Sequence, residues 1–210
     1  MRLPRHCLVW AAPEWAEPAD PRDRALVMEW LALGRPAIVR RPLPGEAASR
    51  VPLGIPLPLA QGRRRVALSV PPAALRRTEP PPRLADALGA APDRWSRPLA
   101  ELADALPEAR VYGSLAWEWL TGEGYLRPGS DLDLSVPVAG RAALDRALAV
   151  LGERVAWADP RLDGELELPG GDGVAWRELL TDAPRLLVKG GTDATLRPRA
   201  ALLAGLDAAP

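Results

Sequence analysis

Two aspartates in the middle of the chain, Asp131 and Asp133, are the residues with the clearest capacity for chemistry. They lie in the run Ser130-Asp131-Leu132-Asp133-Leu134, whose polar and apolar residues alternate as in a β-strand. The period of two predicts that the leucines face a core and that both carboxylates project from the opposite face. Neighbouring carboxylates repel each other unless a cation lies between them, and Mg²⁺ prefers one or two carboxylates together with substrate phosphates.

A Gly-Ser pair precedes these aspartates in the run Val111-Tyr112-Gly113-Ser114-Leu115. A strand that ends in Gly-Ser and opens a helix presents free backbone N–H groups and a hydroxyl to an anion, at the positive end of the helix dipole. An Asp-x-Asp pair by itself is also typical of a solvated strand face. The combination of the pair with the upstream Gly-Ser favours half of a phosphoryl-transfer site instead.

Regular elements are expected on both sides of these motifs. The pattern after residue 98 mixes helical and strand periodicities, which predicts an α/β or α+β order without an internal repeat. In the helix predicted after the aspartates, Leu144, Leu148 and Leu151 stand at helical spacing. We predict helices at 99–106, 115–121 and 141–151, and strands at 110–112, 131–136, 154–157, 162–168 and 174–177.

The N-terminal part has its own elements. Asp20 and Pro21 are suited to the N-cap and first position of a helix, on which Leu26, Trp30 and Leu33 would form one apolar face. Strands are predicted at 37–40 and 65–70. Alternating prolines in the run Val51-Pro52-Leu53-Gly54-Ile55-Pro56-Leu57-Pro58 favour an ordered loop between them.

A shift in composition divides the chain. Residues 71–98 are rich in Pro, Arg and Ala, which predicts a linker with one short helix near 84–88. We therefore expect a small α/β domain at 1–80 and a catalytic domain at 81–210 that contains the Gly-Ser and aspartate motifs.

Composition limits the classes of function. The chain has 210 residues, of which 48% are apolar, and its 27 basic and 27 acidic residues cancel, so nothing suggests a partner of nucleic acid or membrane. One cysteine and one histidine exclude an intramolecular disulfide and a histidine-rich metal site. Catalysis must depend on carboxylates. No apolar segment is long enough for a membrane span or a secretory signal, which predicts a cytoplasmic protein.

The Gly-Ser and aspartate motifs together resemble the signature of the nucleotidyltransferase superfamily, which includes the polymerase-beta-like enzymes. The resemblance implies an α+β fold whose catalytic domain has a mixed sheet flanked by helices. It also implies a third carboxylate on a later strand, and the alternating acids of 161–168 are candidates. Glu165 is the first choice and Asp163 the second, with Glu167 as a third candidate, although each is equally suited to an exposed strand face.

A narrower resemblance extends over nearly the whole chain. Several segments occur in the same order as in the malonate decarboxylase holo-acyl-carrier-protein synthases, the phosphoribosyl-dephospho-CoA transferase family. Cys7 and Gly190 depart from its pattern. The matching segments are Arg5-His6, Val39-Arg40-Arg41, Gly54-Ile55-Pro56-Leu57-Pro58, Val111-Tyr112-Gly113-Ser114-Leu115-Ala116-Trp117, Leu120-Thr121-Gly122, Tyr125-Leu126, Ser130-Asp131-Leu132-Asp133-Leu134, Leu162-Asp163-Gly164-Glu165, Val174-Ala175-Trp176-Arg177-Glu178-Leu179 and Leu187-Val188-Lys189.

This resemblance implies a donor and an acceptor. The donor would be 2′-(5-triphosphoribosyl)-3′-dephospho-CoA, and the acceptor a serine of the apo acyl-carrier subunit of malonate decarboxylase, with pyrophosphate released. Mg²⁺, for which Mn²⁺ could substitute, would be held by Asp131, Asp133 and the third acid. Gly113 and Ser114 would bind the triphosphate, and the domain at 1–80 would recognise the substrate or the carrier protein. Arg177 or Lys189 would neutralise the pyrophosphate, although Arg177 could equally form a surface ion pair with Glu178.

Two other functions remain open on the sequence. One is an ATP-dependent nucleotidyltransferase that modifies another protein or a small molecule, and the other is a non-catalytic nucleotide-binding regulatory module. Retention of two mutually repelling aspartates argues against the non-catalytic interpretation. His6 is expected to be half-buried beside apolar neighbours, and Arg40 and Arg41 are candidates for contact with CoA phosphates or the carrier protein.

Overall fold

A computed structural model describes residues 3–191 and 193–208 of the chain. These residues fold into two compact units, each with its own β-sheet and helices, so the predicted α+β class is confirmed. The first unit runs through Pro81 and includes the short segment Leu120–Tyr125, and the second contains Pro82–Trp119 and continues from Leu126.

In its described residues, the first unit contains a six-stranded sheet and one complete α-helix. Its strand order is β2-β5-β4-β3-β1-β6, and every described pair is antiparallel. The predicted α/β character of this part is therefore wrong, because an α/β domain requires parallel strands joined by helical crossovers. The elements are β1 (Leu8–Ala11), β2 (Glu17–Pro18), α1 (Arg24–Ala32), β3 (Ala37–Val39), β4 (Val51–Pro56), β5 (Arg65–Val70) and β6 (Leu75–Glu79).

The proline-rich run predicted as a loop forms the internal strand β4. The Pro52 carbonyl accepts the Arg40 N–H at 3.1 Å, and the Pro56 carbonyl accepts the Tyr125 hydroxyl at 3.0 Å. The nitrogen and carbonyl of a strand residue point to the same side, so both proline nitrogens point away from β5, the strand with which β4 pairs along its whole length. The missing N–H groups therefore cost no hydrogen bonds between β4 and β5.

Two further expectations for this part need correction. The linker predicted at 71–98 contains β6, which pairs with β1, although its predicted short helix is confirmed as α2 (Leu84–Ala87). Asp20 does accept the Arg22 N–H at 3.0 Å, but it caps a 3₁₀ turn that precedes α1. The buried face of α1 consists of Val27, Trp30 and Leu31. Trp30 is therefore confirmed, Leu26 is half-buried, and the predicted contribution of Leu33 is wrong because this side chain is exposed.

The second unit contains a mixed six-stranded sheet, as predicted, in the order β12-β11-β10-β9-β8-β7. Among its described strand pairs only β8 and β9 are parallel, and α5 connects them. Its elements after α2 are α3 (Asp93–Ala105), β7 (Arg110–Tyr112), α4 (Gly113–Thr121), β8 (Leu132–Pro137), α5 (Arg141–Gly152), β9 (Leu162–Glu167), β10 (Gly173–Ala175), α6 (Trp176–Leu179), β11 (Arg185–Lys189), β12 (Ala194–Pro198) and α7 (Arg199–Asp207).

The alternation in β8 has the predicted orientation. Leu132, Leu134 and Val136 are buried in the core of the second unit, whereas Asp131 and Asp133 are partly exposed. The strand predicted at 154–157 is wrong, because this segment forms turns that follow α5. The strand predicted at 174–177 ends at Ala175, so Trp176 and Arg177 belong to α6 instead.

Gly164 allows β8 and β9 to approach each other closely. Its φ angle is +130°, and a Cβ atom at this position would lie 1.9 Å from the backbone oxygen of Leu134. We expect Gly164→Ala to lower the free energy of unfolding by about 3 kcal/mol, because strained backbone and steric overlap act together. Chemical denaturation would measure the change. Gly170→Ala, at φ +95° and without a described atom nearby, is the control, and equal effects in both variants would contradict this account.

Candidate active site

In the second unit, the Gly-Ser pair and the aspartates lie at the end of β7 and near the starts of β8 and β9. Tyr112, the last residue of β7, pairs with Asp133 near the start of β8, and Asp133 pairs with Asp163 near the start of β9. Helix α4 begins at Gly113, directly after β7. The fold therefore places the start of α4 at the same end of the strands as Asp131, Asp133 and Asp163.

The carboxylate of Asp133 lies directly against Gly113. A Cβ atom on Gly113 would be 1.9 Å from Oδ2 of Asp133, and the φ angle of Gly113 is +66°. Any other residue at position 113 would have to displace the carboxylate and adopt a strained backbone. This contact holds carboxylate oxygens beside the first turn of a helix.

Ser114 lies in the first turn of α4 and is partly exposed. The backbone N–H groups of a first helical turn have no partner within the helix, and the helix dipole is positive at this end. A phosphate group could accept hydrogen bonds from these groups and from the Ser114 hydroxyl. The structure therefore places a helix start that could bind an anion next to carboxylates that could bind a cation.

Arg161 holds the carboxylate of Asp131 with two hydrogen bonds. Its Nε donates to Oδ1 at 3.0 Å and its terminal nitrogen donates to Oδ2 at 2.6 Å. These hydrogen bonds, together with the charges of Arg161 and Arg177, lower the pKa of Asp131. Both carboxylate oxygens of Asp131 are thus engaged by one guanidinium group.

The same guanidinium group lies within the field of all three aspartates. Its pKa is raised first by the hydrogen bonds and charge of Asp131 and then by the charges of Asp163 and Asp133. No motif or spacing in the sequence singles out Arg161. Only the parallel pairing of β8 with β9, in which the Leu132 N–H donates to the Arg161 carbonyl at 2.9 Å, brings it next to Asp131.

Arg177 is held in a fixed position near the start of β9. Its guanidinium stacks 4.4 Å from the ring centroid of Trp176 and donates to the Leu162 carbonyl at 3.0 and 3.2 Å. The alternative ion pair with Glu178 is not formed among the described residues, and a Glu178 carboxylate oxygen instead accepts the Leu187 N–H. Arg177 therefore presents a positive charge whose position is set by backbone carbonyls.

Glu165 and Lys189 form a separate pair on the same face of the sheet. Glu165 lies opposite Ser135, two residues along β9 from Asp163, and only 4% of its surface is exposed. The Lys189 Nζ lies 3.8 Å from a carboxylate oxygen of Glu165. The structure thus brings these two predicted site residues to each other, whereas Asp163 lies directly opposite Asp133.

The chemical nature of the donors fits Mg²⁺ that is shared with a phosphate ligand. Within residues 3–191 and 193–208, no group of three His, Cys, Asp or Glu side chains is arranged to hold a metal ion by itself. Mg²⁺ commonly takes one or two carboxylates and completes its coordination with phosphate oxygens and water. Asp131 and Asp133 supply such oxygens beside the helix start suited to phosphates.

Comparison with known proteins connects this arrangement to one family. Residues 83–200 match the family model described as Phosphoribosyl-dephospho-CoA transferase MdcG C-terminal domain, and residues 4–81 match that of the MdcG N-terminal domain. The chain belongs to the phosphoribosyl-dephospho-CoA transferase family. The family resemblance inferred from the sequence is therefore confirmed, and the chain is assigned as a transferase.

Curated relatives of this transferase family cover most of the chain. A phosphoribosyl-dephospho-CoA transferase of Bradyrhizobium diazoefficiens is 40% identical over 88% of this chain and 85% of its own length. Those of Xanthomonas campestris pv. campestris and Xanthomonas axonopodis pv. citri are 36% and 37% identical, over 94% and 98% of this chain and 95% and 99% of their own lengths. No solved structure matches the chain.

Three further residues near the site have clear structural surroundings. The Ser130 hydroxyl accepts the Arg127 N–H at 3.0 Å and closes the turn that leads into Asp131. Trp117 is 3% exposed and belongs to the core, whereas Trp119 is 42% exposed.

No described helix of this transferase is long and apolar enough to cross a membrane.

The N-terminal candidates are less clearly arranged for ligand binding. His6 is half-buried, as expected, and its ring nitrogen lies 3.3 Å from the Arg5 guanidinium. Arg40 forms an ion pair with Glu46 and donates to the Leu53 carbonyl at 2.9 Å, so its side chain joins a loop to β4. Arg41 is exposed.

Proposed function

We propose that this chain transfers the phosphoribosyl-dephospho-CoA group from 2′-(5-triphosphoribosyl)-3′-dephospho-CoA to a serine of the apo acyl-carrier subunit of malonate decarboxylase and releases pyrophosphate. The observation that carries the proposal is the contact between Gly113 and the Asp133 carboxylate at the start of α4. This contact joins oxygens suited to a metal with N–H groups suited to a triphosphate, which is what phosphoryl transfer requires.

A polymerase-beta-like nucleotidyltransferase arrangement of the second unit is part of the same proposal. Its support is the order of elements: a strand that leads through Gly-Ser into α4, followed by β8 with its two aspartates in a mixed sheet. The resemblance of these motifs to the nucleotidyltransferase signature points in the same direction.

Asp131 and Asp133 would hold Mg²⁺, for which Mn²⁺ could substitute. When bound there, the ion would neutralise charge on the α-phosphate and the departing pyrophosphate. For the third carboxylate we now favour Asp163 over Glu165, because the β8–β9 pairing sets Asp163 opposite Asp133, whereas Glu165 is buried beside Lys189. Glu167 lies two residues beyond Glu165 along β9.

The protein groups would position the reactants for an in-line displacement. The serine oxygen of the carrier forms a bond to the α-phosphorus, the bond between that phosphorus and the pyrophosphate oxygen breaks, and the hydroxyl proton passes to a site carboxylate. Ser114 and the N–H groups after Gly113 would bind the triphosphate. Arg177, held by the Leu162 carbonyl, would neutralise charge on the pyrophosphate, since Lys189 is already directed to Glu165.

The first unit would recognise the CoA portion of the donor or the carrier protein. The proposed phosphoryl-transfer residues all belong to the second unit, and the first unit matches a separate domain of the same family. We therefore assign to the first unit the binding of those parts of the substrates that do not react.

Intact-mass spectrometry of the carrier subunit tests the proposed reaction. The protein is incubated with Mg²⁺, apo carrier and either triphosphoribosyl-dephospho-CoA or ATP. A mass increase equal to the prosthetic group, obtained only with the first donor and lost when the acceptor serine is replaced by alanine, is the expected result. Adenylation with ATP would indicate the alternative nucleotidyltransferase, and an unchanged mass with both donors would indicate a non-catalytic module.

A further inference from the structure

Arg161 stands where a divalent cation would have to bind. It donates to both oxygens of Asp131 at 2.6 and 3.0 Å, and its charge also acts on Asp133 and Asp163. Within the described part of the chain, its guanidinium donates hydrogen bonds to no other side chain. The guanidinium therefore contacts Asp131 directly, and the paired residues Asp133 and Asp163 lie at the same end of the strands.

The two arginines of the site differ in how they are anchored. Arg177 donates to backbone carbonyls and stacks on Trp176, so its position does not depend on the aspartates. The Arg161 side chain is 57% exposed, and Asp131 is what holds its guanidinium. A cation that bound the Asp131 oxygens would displace the Arg161 guanidinium, and this exposed side chain could then adopt another rotamer.

We infer that Arg161 is the counter-ion of the metal-free site: it neutralises and orients Asp131 until a divalent cation displaces it, and it then binds the triphosphate of the donor. The inference rests on the proposed function. Arg161 is thus a positioning residue for Asp131 before the metal binds and a donor-binding residue afterwards. The planar guanidinium suits both partners, because it forms paired hydrogen bonds with carboxylates and with phosphates.

Metal affinity of the free protein is the first readout, since it requires neither donor nor turnover. Removal of the competing guanidinium in Arg161→Gln should tighten Mn²⁺ binding by about two- to fivefold, the effect expected for loss of one largely exposed ion pair. Isothermal titration calorimetry or the electron paramagnetic resonance signal of free Mn²⁺ would measure it. Asp131→Asn, which removes a ligand charge, should weaken binding.

Arg22→Gln is the matched control for this measurement. Arg22 holds Asp20 in the first unit with nearly the same geometry, at 3.1 Å from Nε to Oδ1 and 2.6 Å from a terminal nitrogen to Oδ2. The variant removes the same charge and the same kind of pair away from the proposed ligands. Its Mn²⁺ affinity should equal that of the wild type.

Steady-state kinetics provide the second readout. Arg161→Gln should raise the KM for the triphosphate donor about tenfold, because a charge-assisted contact with phosphate is lost, while half-saturation with Mg²⁺ shifts to lower concentration. Arg161→Lys, which keeps the charge without the planar fork, should restore part of the donor KM. A merely structural role for Arg161 would not move these two constants in opposite directions.

The outcomes separate this inference from the proposed function. If Asp131→Asn weakens Mn²⁺ binding but Arg161→Gln binds Mn²⁺ no more tightly than the wild type, the role of Arg161 is refuted and the metal site stands. If Asp131→Asn binds Mn²⁺ like the wild type, the proposed metal site itself fails, and the inference fails with it.

Discussion

Replacement of Asp133 or Asp131 by asparagine is expected to reduce kcat/KM for transfer by at least about 10³-fold while the fold is retained. Each substitution keeps the shape of the side chain but removes a charge from the proposed Mg²⁺ ligands. Neither side chain belongs to the apolar core, so little stability should be lost. Intact-mass assays of the carrier would measure the rate, and circular dichroism with chemical denaturation would check the fold.

Asp145→Asn is a suitable control for both variants. Asp145 accepts hydrogen bonds from Arg141 at 3.0 and 3.1 Å on α5, so the substitution removes the same charge and an arginine partner outside the proposed site. Its rate should match that of the wild type. Unimpaired transfer by Asp133→Asn and Asp131→Asn would refute the assignment of these aspartates as metal ligands.

Gly113→Ala should lower kcat/KM by about 10²- to 10³-fold, because a small displacement of a catalytic group is sufficient for losses of this size. The added methyl group would occupy the position of the Asp133 carboxylate, since a Cβ atom there would be only 1.9 Å from Oδ2. The positive φ angle adds a second cost, about 1 kcal/mol of stability. Parallel measurements of transfer rate and free energy of unfolding would separate the two effects.

Gly122→Ala isolates the contribution of the backbone. Gly122 has a φ of +69°, nearly the same as that of Gly113, but a Cβ atom there would meet no described atom within 4 Å. We expect the control to lose a similar amount of stability and to retain most of its activity. Equal rates in the two variants would mean that the contact between Gly113 and Asp133 has no part in transfer.

Local patterns in the sequence were sufficient for the elements that carry the proposed chemistry. The alternation around Asp131 and Asp133 predicted both the strand and its buried face, because burial of every second residue is a property of the strand itself. The strand at 65–70 was also predicted with the bounds it has as β5. In these segments the local preference and the tertiary structure agree.

Features that depend on pairing with residues distant in the sequence could not be predicted from local patterns. The prolines in β4 favour a loop when the sequence is considered alone, but in the sheet their nitrogens point away from β5, so the long β4–β5 ladder forms without them. The choice between Asp163 and Glu165 was open for a similar reason. Both acids lie on the same face of β9, and only the pairing with β8 distinguishes which one is opposite Asp133.

The parallel pairing of β8 with β9 gives α5 a role although none of its residues is a proposed ligand. Parallel neighbouring strands begin at the same end, so after β8 the chain must return along the length of the strands before β9 can start beside it. Helix α5 makes that return. The return must also end in the correct register, because a shift of one residue within β9 would turn its acids into the core.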